Sequence, residues 1–261
     1  MVTNTRRPGK NGASSAEAEG TSRRGRTATS EVKPSQKKIT KADNGIVTVR
    51  AYCVGASPLM MDPMTEETLD GLATGVHPPI KKDTPHEQVA GAKVMKNAAG
   101  EIAIPIENLF AALAEAGRRV KYKGMSKMST ATTTTLPEYF QLLSDDLLLV
   151  DNNLKPLTDE AWEVDKRRGC LKDGTAVCIR RPKFATWNFM VEFEYDENQI
   201  SEAQLAELFK IAGAVMGLGS FRPSCKGRFG TFKVREWTLV SRRPVVTEFK
   251  RVDLTTEQQA A

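Results

Sequence analysis

Long apolar runs are missing from this 261-residue chain. Nothing approaches the roughly 18 consecutive apolar residues that a membrane-spanning helix needs. The N-terminus has no apolar stretch of the kind a secretory signal carries, so export is not expected. Histidine is scarce, with only His77 and His86, and the four cysteines (Cys53, Cys170, Cys178, Cys225) form no CxxC pair. That leaves little from which to build a zinc site and argues against a disulfide framework. No nucleophile motif accompanies the two histidines, and no GK[ST] closes a glycine-rich stretch as a phosphate-binding Walker loop would. The expectation is a soluble cytoplasmic protein with no metal and no cofactor.

Hydrophobic residues make up 40% of the chain and charged residues 27%, ordinary values for a globular protein. The charge is unevenly placed. Residues 1–45 hold ten Lys/Arg against four Asp/Glu, which accounts for the whole net charge of +6. The remaining residues carry equal numbers of each sign. Residues 1–45 also lack Phe, Trp, Tyr and Leu. Such a segment buries too little apolar area to offset the entropy of ordering, so a disordered basic tail is expected there. A tail of this kind supports nucleic-acid contact only weakly. The case for function therefore rests on where cations cluster within residues 46–242.

Val47, Val49, Ala51 and Cys53 alternate with Thr48, Arg50 and Tyr52 and predict a strand ending at Gly55. Residues 55–100 are rich in Pro and Gly and form one long insertion. A helix is expected from about Pro105, with Ile106, Leu109, Phe110, Leu113 and Val120 on its apolar face. A second insertion covers about 121–175. Within it Ser129–Thr135 reads as a loop or short extended piece, Leu147–Val150 as a short strand and Pro156–Glu163 as a brief helix. Ala176–Arg180 and Trp187–Tyr195 read as two strands, joined through Arg181-Pro182-Lys183 as a hairpin. Ser201 followed by Gln204 is a capping box, opening a helix that stops at Gly217. A last strand spans roughly Gly230–Val240, and 243–261 form a C-terminal extension. The order strand, helix, strand, strand, helix, strand is that of an α+β, ferredoxin-like (βαββαβ) antiparallel sheet carrying two long insertions.

The most specific motif is the loop from Gly217 to Gly230, between the second long helix and the last strand. Gly217, Gly219, Gly227 and Gly230 allow positive φ and close backbone approach. Arg222, Lys226 and Arg228 offer charged donors to phosphate oxygens, and Phe221 and Phe229 offer stacking faces. The same residues also fit a glycine helix stop and a tight turn whose arginines pair with nearby acids. Lys226–Phe232 carries the aromatic spacing of an RNA-recognition motif, but it precedes the fourth strand and not the third, which discounts it. A second cationic cluster comprises Lys166, Arg167, Arg168, Lys172, Arg180, Arg181 and Lys183, and a third Arg118, Arg119, Lys121 and Lys123. Either is also explicable as a solvated face or as cations at a helix C-terminus. The three clusters add weight together only if the fold brings them onto one surface. Asp62, in Met60-Met61-Asp62-Pro63, is a lone carboxylate after the first strand.

Three of these stretches carry a resemblance: the strand end Gly55-Ala56-Ser57-Pro58-Leu59-Met60, the helix start Ile104-Pro105-Ile106-Glu107-Asn108-Leu109, and the glycine loop 217–230 leading into a strand. Over about 46–240 the chain resembles the RAMP superfamily of ferredoxin-like proteins, in particular backbone subunits of CRISPR effector complexes. It is also similar to phage- and plasmid-borne proteins of the same plan. The resemblance implies a ferredoxin-like palm, a thumb formed by 55–100, and subunits stacked head to tail on a single strand whose backbone they grip. It places Arg222, Lys226 and Arg228 near that strand. The loop here is rich in Arg and Pro, unlike the family's simpler glycine-rich form.

The function expected is a non-enzymatic protein that binds single-stranded RNA or DNA with little sequence preference and assembles as a homo-oligomer in rows. The rivals are a phage-type structural or assembly protein with incidental nucleic-acid contact, and a ribonuclease using Asp62. Deleting residues 1–45 separates the first two. A clamp in the body retains single-strand affinity within about tenfold in a low-salt filter-binding titration, whereas loss of binding assigns the contact to the tail.

Overall fold

The alternation over Val47–Cys53 puts two different sets of side chains on the two faces of a strand, and that strand organises the molecule. A computed structural model describes residues 45–76, 83–124, 126–170 and 174–245, all within the unit Thr40–Ala261. The basic tail (Gly45 excepted), His77, Lys172 and most of the C-terminal extension lie outside the described residues. The elements are β1 (Gly45–Gly55), β2 (Leu59–Met60), α1 (Glu66–Thr74), α2 (His86–Gly91), β3 (Ala103–Pro105), α3 (Ile106–Gly117), β4 (Phe140–Leu142), β5 (Asp146–Val150), β6 (Trp162–Cys170), β7 (Ala176–Phe184), β8 (Asn188–Asp196), α4 (Glu202–Ile211) and β9 (Phe232–Pro244).

The fold is α+β with antiparallel sheets. The larger sheet runs β3-β5-β8-β1-β9, with β4 also on β8. β1 pairs with β8 from Ile46↔Asp196 to Val54↔Asn188, and with β9 from Gly45↔Pro244 to Gly55↔Phe232. β9 is two residues longer than β1, and two bulges, at Thr48/Val49 and Tyr52/Cys53, absorb the difference. One face is apolar. Val47, Val49, Ala51 and Cys53 share a single core with Leu109 and Leu113 of α3 and Leu205, Leu208 and Phe209 of α4. Phe209 stacks on Phe193 at 5.2 Å and meets Trp237 edge-on at 5.6 Å, fixing α4 against β8 and β9. The thiol of Cys53, buried in this core, is pushed far above its ordinary pKa by loss of water. The opposite face carries Arg50 paired to Glu192 and Arg243 paired to Glu194.

The capping box is formed as the sequence predicts: the Gln204 amide N–H donates to Ser201 Oγ, and Gln204 Oε1 accepts from the Ser201 amide. Two expectations change. Ala176–Arg180 and Trp187–Tyr195 do not form a hairpin. β7 belongs to a second sheet, ordered β2-β7-β6, while β8 lies in the main one. The edge of β8 expected to hold Ala176–Arg180 is taken by two short strands, with β4 at Phe140↔Tyr195 and β5 at Leu149↔Phe189. The brief helix expected over Pro156–Glu163 is confined to one 3-10 turn, Asp159–Ala161, which leads straight into β6. Among the described residues no helix is long and apolar enough to cross a membrane.

Candidate nucleic-acid interface

The glycine loop is held by backbone contacts before any side chain matters. A π-helical turn, Ala212–Met216, continues α4 and ends at Gly217 with φ 72°. The Leu218 amide donates to the Gly230 carbonyl at 2.8 Å and closes the base of the loop. The Ser220 amide donates to Met60 O at 2.7 Å, and the Gly230 amide to Pro58 O at 2.8 Å. At Gly219 and Gly230, both with φ 70°, a Cβ would strike the carbonyl oxygens of Met60 and Leu218 respectively. Only glycine meets both the dihedral and the space requirement at these two sites. The 55–61 segment is in turn tied to the rest. The Ala56 amide donates to Thr231 O at 2.7 Å, the Trp187 indole to Ser57 O at 2.7 Å, and Met60 pairs with Lys183 of β7.

This stitching brings four separate stretches of the chain to one place. Ala56, Ser57, Pro58, Arg167, Lys183, Arg228 and Phe229 line a pocket of about 360 Å³. The Arg167 guanidinium carbon lies 4.9 Å from the Phe229 ring centroid and 5.6 Å from that of Phe221. Arg228 lies 5.6 Å from the Phe229 ring. Asp165 holds Arg167 through two hydrogen bonds, at 2.6 and 3.0 Å, which raise the guanidinium pKa further and fix its plane. Lys183 pairs with the exposed Glu163 at 2.5 Å. Among the described residues Arg228 has no carboxylate partner. A phosphate here would find Arg228 available, and Lys183 released from an exposed pair worth about 1 kcal/mol or less.

The second cationic cluster does not act as one patch. Strand alternation divides it. Arg167, Arg181 and Lys183 lie on one face of the β6–β7 ribbon, and Lys166, Arg168 and Arg180 on the other, as the register Glu163↔Lys183 and Lys166↔Arg180 requires. On the second face Arg180 donates to Thr84 O at 3.2 Å. There the charge of Lys166, then desolvation, then the charge of Arg180 hold the His86 imidazole below its usual pKa. Arg181 shares the pocket's face of the ribbon but is occupied by Asp62 at 2.6 Å, and Lys93 takes the other oxygen of that carboxylate at 2.7 Å. Asp62 is therefore the centre of a half-buried ion triad.

The remaining candidates separate as well. Arg222 turns back to donate to Gly219 O at 2.9 Å, and it lines a groove against Asn108 and Glu115 of α3 rather than the Arg228 pocket. Lys226 is exposed at a left-handed turn position, φ 62°, and the Gly227 amide donates to Arg222 O. In the third cluster Arg118 pairs with Glu115, Lys123 donates to Gln199, the Lys121 carbonyl accepts from Gln204, and Arg119 is exposed. This places Lys121 and Lys123 at the start of α4, while the glycine loop leaves its far end, roughly 20 Å along the helix at 1.5 Å per residue. Two of the three clusters thus meet in part, through Arg167, Lys183 and Arg228, and the third stands apart.

Sequence reasoning set Asp165 against the cluster as a whole but missed its pairing with Arg167, the counter-charge Glu163 and the role of Ser57 and Pro58 as a pocket wall. The i, i+2 spacing of Asp165 and Arg167 would have shown the pairing had Trp162–Cys170 been read as a strand. Nothing local announces Lys93 as a partner of Asp62.

No protein-family model matches the chain, and no curated protein is detectably similar in sequence. Among solved structures it is similar to a chain of type III-B Cmr-β bound to cognate target RNA. The identity is 10% and the TM-score 0.47, over 75% of this chain. The chain spans 61% of that protein's length. It is also similar to Cmr6 from Pyrococcus furiosus, with 10% identity and a TM-score of 0.37, over 73% of this chain and 99% of the other.

The close approach at Gly219 has a measurable cost if violated. Gly219→Ala is expected to destabilise the fold by about 2 kcal/mol or more in denaturant unfolding, because left-handed strain and a collision with Met60 add together. Gly100→Ala, at φ 81° with nothing nearby, carries the strain alone and is expected to cost about 1 kcal/mol. Equal costs would contradict the contact.

Proposed function

We propose that this chain is a non-enzymatic, RAMP-type protein that binds single-stranded RNA or DNA through the phosphate backbone and assembles in rows along it. The observation that carries the proposal is the convergence of Arg167, Lys183 and Arg228, from three separate stretches, in one pocket with the Phe229 ring, with Phe221 also within 5.6 Å of Arg167. Lysine and arginine that neutralise phosphates release counterions, and this supplies most of the affinity. Contacts of this kind position a strand without reading its sequence. Arg228 and Lys183 are the phosphate ligands in this account, and Arg167, clamped by Asp165, is a fixed flat edge beside them.

The larger sheet supports a ferredoxin-like core. In chain order α3 lies between β1 and the β4–β5 edge, and α4 between β8 and β9, with β1 and β8 central. The ion triad at Asp62 favours a structural role for that carboxylate over ribonuclease chemistry, since both its oxygens are already taken by Arg181 and Lys93.

A salt series tests the clamp. The Lys183→Ala/Arg228→Ala double variant is expected to bind all single strands more weakly, whatever their sequence. Its slope of log affinity against log salt should be shallower by about 1.4, the value for two lost contacts to a single strand. Arg222→Ala, whose side chain serves Gly219, should leave the slope unchanged. A double variant with the parent's slope would remove the clamp.

A further inference from the structure

Phe221 sits in a conformation its side chain disfavours. Its φ is 55°, in the left-handed region that bulky residues rarely enter. The loop holds it there: the Ser220 amide is fixed on Met60 O, the Phe229 amide donates to Phe221 O at 3.2 Å, and the Gly227 backbone packs directly against the same carbonyl. A glycine would occupy the position without strain, as glycines do at 217, 219 and 230. The residue is nevertheless left 41% exposed, while its neighbour Phe229, with ring centroids 6.2 Å apart, is buried at 3%. Covering the Arg167 cation does not require Phe221, because Phe229 already lies closer to it.

We propose that Phe221 is a stacking platform for one unstacked nucleobase, with the Arg167 guanidinium as the second flat surface at its side. This rests on the backbone-clamp function and adds to it the class of ligand: a strand whose bases are free to present a face, hence single strands over duplexes. Stacking of this kind is tolerant of base identity, because every base has a π-face. Phe229 cannot serve, since it is only 3% exposed and Arg167 already lies over its ring. The Phe221 ring lies 5.6 Å from Arg167, a residue of the cation-lined pocket, and a phosphate held there by Arg228 and Lys183 would put the adjoining base within reach.

Fluorescence anisotropy on the full chain tests this with three labelled ligands about twenty nucleotides long: a single-stranded RNA, the same strand made abasic, and a duplex. The parent protein should prefer the base-bearing strand to the abasic one and to the duplex. Phe221→Gly, which relieves strain while removing the ring, should lose about tenfold on the base-bearing strand and nothing on the abasic one. Phe221→Leu, which keeps apolar bulk without a π-face, should lose a similar factor, and Phe221→Trp should retain the parent's affinity. Parental affinity in both the Gly and Leu variants, with Arg228→Ala still weakening both strands, would overturn the platform and leave the clamp standing. Failure of the parent to bind either single strand would overturn both.

Discussion

The seat of the glycine loop on the Met60 carbonyl is the contact on which the rest of this molecule depends. A side chain at Gly219 would displace that oxygen, and one at Gly230 would open the base of the loop. With both absent, the loop lies directly on the 55–61 segment, and that segment is simultaneously an extension of β1, a partner of β7 and the acceptor for the Trp187 indole. Two sheets and a loop are thereby fixed to one another by main-chain hydrogen bonds. Backbone fixed in this way can hold a phenylalanine at positive φ and a cation-lined pocket open at its side, at a cost the surrounding contacts absorb.

The β6–β7 ribbon shows how strand geometry sorts charge. A run such as Lys166-Arg167-Arg168 looks like one patch on paper, but a period of two sends its members to opposite faces. The inward members find acids or aromatics: Arg167 meets Asp165 and Phe229, Arg181 meets Asp62, and Lys183 meets Glu163. On the other face Lys166 and Arg180 depress the basicity of His86. Cations held by acids on the pocket's side are oriented before any ligand arrives, which lowers the entropic cost of binding at the expense of some net charge.

Much of this was legible in the sequence where a strict period reports a half-buried element. β1 and β8 alternate cleanly because one face of each lies on the helices, and α4 carries its capping box and its glycine stop in plain sight. The ribbon was not legible, because polar and charged side chains on both faces of β6 erase the apolar alternation, so Trp162–Cys170 read as insertion and β7 was given the wrong partner. β5 was legible as the apolar run Leu147–Val150, whereas β4, three residues long, is too short to show a period and holds the sheet edge by tertiary pairing alone. At the candidate site the glycines, Arg228 and the two phenylalanines stood out, because loop chemistry is local. The ion triad at Asp62 and the turning back of Arg222 did not, since each depends on partners fixed only by the fold.

Hydrogen exchange of the full chain with and without a saturating single strand tests the central claim most directly. The account predicts that amides of 55–61, 162–170, 176–184 and 217–230 gain protection together, while the open face of the larger sheet around Arg50 and Tyr52 exchanges as before. Protection confined to that face, with the glycine loop unaltered, would contradict it.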